Sequence, residues 1–427
     1  MWAFSTYTIV DGIFVARWVS PEALAAVNLS LPFINVLFAL GLVIATGTAT
    51  VVSICFGQGE DKKAKNCFNQ NLTVALMAGL LITAMTLLGL DPLCRFLGAR
   101  GQILEYTKEY VGITACFAVF FIISYNLEVL VKVDGAPQLS VIGVGSCALA
   151  NVGLDYLLIE RLGLGIRGAA LATGLAQMTS TVVFVLYFLL RGRKLHFGRF
   201  KPDLSLYRRI IPIGLADGIT ELSNGFIIFL FNRVILAMMG ESGIISYTVV
   251  SYVNTLVLMT MSGLSQGMQP LTSLRHGMGD RRGCHRILRY ALLSSAVMAA
   301  LFFAGSQLGA GTIVSLFFGP ESGALYTDTL RALRLFSSAF PIIGFNVIMA
   351  AFFASIERPV ASLVISVGRG LVLLTACLLT LSALAGETGI WLSPMVSELL
   401  CLGMTLFLAV RYRRRAPLEK QNHTAVR

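Results

Sequence analysis

Long apolar runs alternate with short charged breaks along the whole chain. A helix that crosses a bilayer needs roughly 20 apolar residues. Read that way, the runs fall at about 1–16, 23–55, 68–94, 106–131, 138–159, 168–190, 210–238, 244–273, 290–318, 328–355, 360–384 and 390–410, which predicts twelve helices. The first has only 16 residues before Arg17 and lacks the basic start and small-residue cleavage site of a signal peptide. It reads as a short or truncated first helix. The one long polar stretch, 191–209 (RGRKLHFGRFKPDLSLYRR), falls near the middle of the chain. The expected organisation is therefore an N-terminal lobe over 1–190, a basic linker over 191–209, a C-terminal lobe over 210–410 and a basic tail over 411–427.

Composition agrees with the pattern. Of 427 residues, 56% are hydrophobic and only 13% are charged, with a mean hydropathy of +0.78. That is too little charge to cover a water-facing surface, and it excludes a soluble enzyme. The net charge of +11 does not point to nucleic acid, because the basic residues sit in short loops and at the C-terminus. If the N-terminus is cytoplasmic, 23 of the 33 Lys and Arg residues lie in loops or the tail on that side. The positive-inside rule then predicts a multi-pass protein of the cell membrane with both termini cytoplasmic.

The most informative feature is an internal repeat at an offset of about 220 residues. Gly57-Gln-Gly59-Glu-Asp-Lys answers Gly277-Met-Gly279-Asp-Arg-Arg, Gly47 answers Gly267, Tyr106-Thr107 answers Tyr326-Thr327, and Asn126 answers Asn346. Pro137 answers Pro359 after a two-residue drift. Two repeats with an even number of spans enter the membrane in the same direction, so a pseudo-two-fold axis along the membrane normal relates them, with the ligand path expected between.

A carboxylate deep in a spanning helix costs about 2.5–3.5 kcal/mol and needs a partner, a proton or a wet cavity. Candidates are Asp11, Glu128, Asp155, Asp217, Glu221 and Glu398. Asn151 and Asp155 share one helix face a turn apart and form a plausible proton or cation site, which Asp11 joins if the first and fifth helices touch. The competing reading of Asp155 is structural pairing between helices. Asp217 and Glu221 are likewise one turn apart and could bind a cation or cationic substrate, unless Asp217 pairs with Arg208 and Arg209. Glu128 lies four residues from Lys132, the spacing of a helix-end ion pair. Arg369 is expected to pair with Glu398 or Glu221, as structure or as part of a substrate site. Gln266 and Gln269 precede Pro270, which can expose carbonyls or simply kink the helix. The Gly57 and Gly277 motifs lack the ending of a phosphate loop, so an ATP-driven reading has no support and a gradient is the expected source of any driving force. No cofactor is expected. Eight cysteines without a CxxC pair and four histidines in loops or the tail make no metal set.

The fragments TIVDGIFVAR, PEALAAVNLSLPF, FGQGEDKKA, VKVDGAP, NVGLDYLLIERLGLGIRGAALATGLAQ and GLSQGMQPLTSLRHGMGD resemble the multidrug and toxic compound extrusion (MATE) family, and most closely its bacterial MepA-type branch. The resemblance covers essentially the whole chain. It implies an all-α integral membrane protein of twelve helices, in two six-helix lobes facing a central cleft, that exports lipophilic organic cations in exchange for H+ or Na+. It also implies an N-lobe cation site made of Asp11, Asn126, Asn151, Asp155 and Thr173. For the acidic C-lobe site of the sodium-coupled branch, Glu221 matches only approximately, and SSAFPIIGFNVIMAAFF carries no carboxylate. Two departures stand out: the late start of the first helix, and Val133 where many relatives are polar.

The first reading is a secondary antiporter in which a cation and a proton compete for the same carboxylates. Two lobes in one chain can form a complete pathway, so a monomer suffices. A flippase for lipid-linked oligosaccharides on a related scaffold is the alternative. It needs a strongly basic cleft, whereas the spans hold Arg233 and Arg369 against about half a dozen acids. A channel or receptor is weaker still, since nothing resembles a selectivity filter or a sensor domain.

Overall fold

The computed structural model describes residues 11–317, apart from 13 and 16, and 323–424, and the described residues form helices and turns without a strand. Most of the first expected span, 1–16, lies outside them; helical residues are described from Asp11 to Trp18 (α1). In α2 (Pro21–Gly57), Ser20 accepts the Ala23 N–H and Pro21 takes the first helical position. Both features deal with N–H groups that a helix start leaves without partners. α3 (Asp61–Leu88) breaks at Gly89 before α4 (Leu90–Phe96). The expected span 106–131 is two helices, α5 (Gly101–Cys116) and α6 (Ala118–Val133), bent by 51°. At the break, the Phe117 ring occupies the space a side chain at Gly174 would need. α7 (Pro137–Asp155) passes into a π-turn over Tyr156–Arg161, and α8 (Gly165–Leu190) completes this half.

In the second half, α9 (Tyr207–Gly277) runs for 71 residues and turns at Gly240, where φ is 70° and ψ −156°, a conformation essentially confined to glycine. Its limbs are the expected spans 210–238 and 244–273. α10 (Arg281–Leu308), α11 (Ala310–Ser315), α12 (Ala324–Phe336) and α13 (Phe340–Ser355) follow. Then come α14 (Pro359–Val367), a π-turn over Gly368–Leu373, and α15 (Leu374–Thr424), broken at Gly386. Among the described residues eight helices, or nine counting the bent pair, are long and apolar enough to cross a membrane. Taking α9 and α15 as two limbs each gives eleven, beside the first span.

Two compact units emerge, Met1–Leu222 with Pro270–Cys284 and Ser223–Gln269 with His285–Arg427. The division falls within the limbs of α9 and not in the 191–209 linker, because the linker is tied into the first unit. The Asp134 carboxylate accepts the backbone N–H groups of Arg193, Lys194 and Leu195 and the Tyr187 hydroxyl, all at 2.7–2.8 Å. Asn66 bonds both backbone groups of Lys201, Gln70 both of Asp203, and Asn69 accepts the Gly198 N–H while donating to the His196 carbonyl. These side chains satisfy an irregular backbone that has no ladder of its own.

The first limb of α9 also meets α2 within this unit: a Cβ at Gly214 would overlap the Val43 carbonyl, and one at Gly47 the Ile210 carbonyl. The repeated G-x-G motif ends α2 and α9 alike, with Gly59 at φ 77° and Gly279 at φ 72°, the left-handed cap of a helix C-terminus. Gly57 and Gly277 lie so close that a Cβ on either would overlap the other helix's backbone. The core of the first unit gathers Leu37, Tyr110, Phe121 and Ile159. That of the second gathers Phe231, Tyr247, Phe336, Phe340 and Trp391, with Phe231 and Tyr247 stacked at 5.1 Å.

Candidate functional site in the first unit

Asp155 closes α7 just before the π-turn and is wholly buried, and Asp11 on α1 is buried with it. The two carboxyl groups stand within hydrogen-bonding reach of each other. Both Asp155 oxygens and Asp11 Oδ1 nevertheless accept no hydrogen bond from the described residues. Two ionised carboxylates have no hydrogen to share, so a proton or a cation between them is what completes the arrangement. One turn back on α7, Asn151 is fully buried, and neither its Oδ1 nor its Nδ2 has a partner among the described residues. Thr173 on α8 is buried and donates to the Ala169 carbonyl at 3.1 Å. Tyr110, a buried α5 residue, lies within hydrogen-bonding reach of Thr173 and close to both carboxyls. Elements distant in sequence thus converge on one pair of acids.

Of the five expected N-lobe residues, the structure brings Asp11, Asp155 and Thr173 together around Tyr110, with Asn151 a turn away. Asn126 is buried in other company: it accepts from Asn71 Nδ2 at 3.0 Å and donates to the Ile122 carbonyl at 2.8 Å. Tyr110 and Asn71 were not singled out in the sequence. Tyr110 hides among charged neighbours at the start of an apolar run, and Asn71 in the polar string FNQN. Only their burial beside other polar groups reveals them.

Glu128 takes Lys132 Nζ at 3.0 Å and Ser140 Oγ at 2.9 Å, the expected i, i+4 pair. Asp217 and Glu221 are half-buried on the first limb of α9, and Gln266 is half-buried and Gln269 buried beside Pro270 on the second. In the second unit, Arg369 and Glu398 form a largely buried ion pair, and Asn346 Nδ2 donates to the Glu398 carboxylate at 2.7 Å. No group of three or more His, Cys, Asp or Glu residues among the described residues could hold a metal.

Ionisable side chains buried in helices of spanning length define a polytopic membrane protein. The chain belongs to the MatE family, whose model matches residues 1–157 and 219–379, and so is a transporter-family protein and not an enzyme. It is 25% identical over 417 residues to the multidrug export protein MepA of Staphylococcus haemolyticus (strain JCSC1435), covering 97% of this chain and 91% of that protein. MepA of Staphylococcus aureus (strain NCTC 8325 / PS 47) is 24% identical over 420 residues with the same coverage. Among solved structures, an outward-facing multidrug resistance MATE family transporter of the MOP superfamily matches with a TM-score of 0.90 at 23% identity, over 96% of this chain and 92% of that one. A MOP superfamily transporter from Pyrococcus furiosus Vc1 (DSM3638) matches with a TM-score of 0.88 at the same identity and coverage.

Proposed function

We propose that this chain is a multidrug efflux antiporter of the cell membrane, exporting lipophilic organic cations in exchange for H+ or Na+ by alternating access. The observation that carries the reading is the buried Asp11 and Asp155 pair, in which both Asp155 oxygens and Asp11 Oδ1 find no donor among the described residues. Such a pair is neutralised by a proton or by a cation, and the two cannot be held together at full strength. Loading one expels the other, and that competition is exchange. The Tyr110 and Thr173 hydroxyls lie beside the same carboxyls, and their oxygens can offer lone pairs to a bound cation. The names of the curated relatives, multidrug export proteins, support the same reading.

Both termini are cytoplasmic in this reading, on the basic-loop side, and the single chain works as a monomer. The flippase alternative is disfavoured because it needs free positive charge for a pyrophosphate, while Arg369 in the spans is already paired with Glu398. The test is export of a fluorescent organic cation from cells or vesicles carrying the protein. Export that Asp155→Asn abolishes upholds the reading, and full activity in that variant sinks it.

A further inference from the structure

In the second unit, α10 packs by one face and leaves the opposite one bare. Ala299 belongs to the core of the unit, and Ser295 is buried against Gly344. The other side carries Arg286, Arg289, Tyr290, Leu293 and Val297, at the three- and four-residue spacing of a single helix stripe. All are exposed, Tyr290 at 62%, Leu293 at 61% and Val297 at 52%. α10 contains no acidic residue, and Arg286 and Arg289 form no ion pair with the described residues. The stripe is therefore cationic at the start of the helix and apolar below.

The internal repeat shows what the same positions do in the other half. At an offset of 220, Asn66, Asn69 and Gln70 of α3 answer Arg286, Arg289 and Tyr290 of α10. The three amides bind the linker backbone, so that side of α3 is covered. An amide both donates and accepts, which suits a backbone strand, whereas a guanidinium only donates. The α10 face thus lacks the means to hold a strand in that way. The linker's counterpart at the same offset is the tail from Arg411, which carries six basic residues against one acid. Like charge keeps it from Arg286 and Arg289. What complements this face is an anion with an apolar body.

We propose that this face of α10 binds an anionic phospholipid in the leaflet on the basic-loop side. Arg286 and Arg289, about one turn apart, hold the headgroup phosphate by charge-assisted hydrogen bonds. Tyr290 lies at headgroup level, where tyrosines of membrane helices concentrate. Leu293 and Val297 follow about 6 and about 12 Å beyond Arg289 along the axis, at about 1.5 Å per residue, and the acyl chains run along them. That apolar continuation favours a lipid over a free phosphate. Two guanidinium groups without an acid favour an anionic headgroup over a zwitterionic one, whose own cation would meet them.

The test titrates purified protein in detergent with phosphatidylglycerol, and separately with phosphatidylcholine of the same chains, while the unfolding temperature is followed. Phosphatidylglycerol should raise it and phosphatidylcholine should not. Arg286→Gln with Arg289→Gln should need about tenfold or more phosphatidylglycerol for the same rise. Lys62→Gln with Lys65→Gln removes two exposed charges from α3 and should leave the titration within about twofold of wild type. Glycerol phosphate, a headgroup without chains, should give no rise. A readout free of any substitution is photolabelling of wild type: phosphatidylglycerol with a photoreactive acyl chain should mark residues 290–301 more strongly than the matching phosphatidylcholine. The proposal is overturned by a wild type that shows no rise or an equal rise with both lipids, by equal losses in the two double variants, by glycerol phosphate acting as well as the lipid, or by equal labelling from both lipids.

Discussion

A carboxylate whose oxygens have no protein donor is held in place by what it binds, so replacing it changes the ligand more than the fold. Asp155→Asn keeps the shape of the buried pair with Asp11 and removes the negative charge that a proton or cation would neutralise. The expected outcome is a folded protein, eluting as a single species in detergent, whose gradient-driven transport falls by about tenfold or more. Tyr110→Phe removes only the hydroxyl that reaches Thr173; transport should slow by a few-fold, roughly the effect of about 1 kcal/mol, with the same driving ion, measured as initial rates in liposomes. The acids themselves were legible in the sequence because charge in an apolar run is conspicuous. Tyr110 and Asn71 were not, since a tyrosine counts as part of an apolar run and an asparagine near a helix end counts as solvated. Asn126 shows the complementary limit. Its position and burial could be anticipated, but its bond to Asn71 depends on how α3 and α6 pack.

At the scale of elements, glycine and proline punctuation and apolar length placed nearly every helix. The exceptions have local causes: the 51° bend between α5 and α6 comes where bulky Phe117 lodges against Gly174, a fit between two helices that neither one advertises. The linker over 191–209 read as a simple polar connector, yet Asp134, Asn66, Asn69 and Gln70 bind its backbone. Asp134→Ala strands three N–H groups and should destabilise this segment by about 2 kcal/mol or more. Limited trypsin digestion should then cut faster at Arg193, Lys194 or Arg199 than in wild type, and unchanged cleavage would count against the tether. Where α2 meets α9, Gly214→Ala forces a methyl group onto the Val43 carbonyl. A loss of about 1–3 kcal/mol is expected from such overpacking, seen as a lower unfolding temperature in detergent.

At the scale of the whole molecule, the repeat offset of about 220 residues, visible in Gly57 and Gly277, anticipated a protein of two related halves. The compact units are not the halves themselves, because the ends of α9 pack with the first unit. The chemistry is unequal between them too: the first carries the open carboxyl pair, the second the Arg369 and Glu398 pair. In the proposed exchange a proton or sodium ion and an organic cation compete for Asp11 and Asp155. The most direct measurement places the purified protein in liposomes and follows a fluorescent organic cation while a pH gradient and a sodium gradient are imposed separately, with Asp155→Asn alongside. Transport driven by one of these gradients in wild type and abolished in the variant is the predicted result. Transport that persists in Asp155→Asn, or that responds to neither gradient, would contradict it.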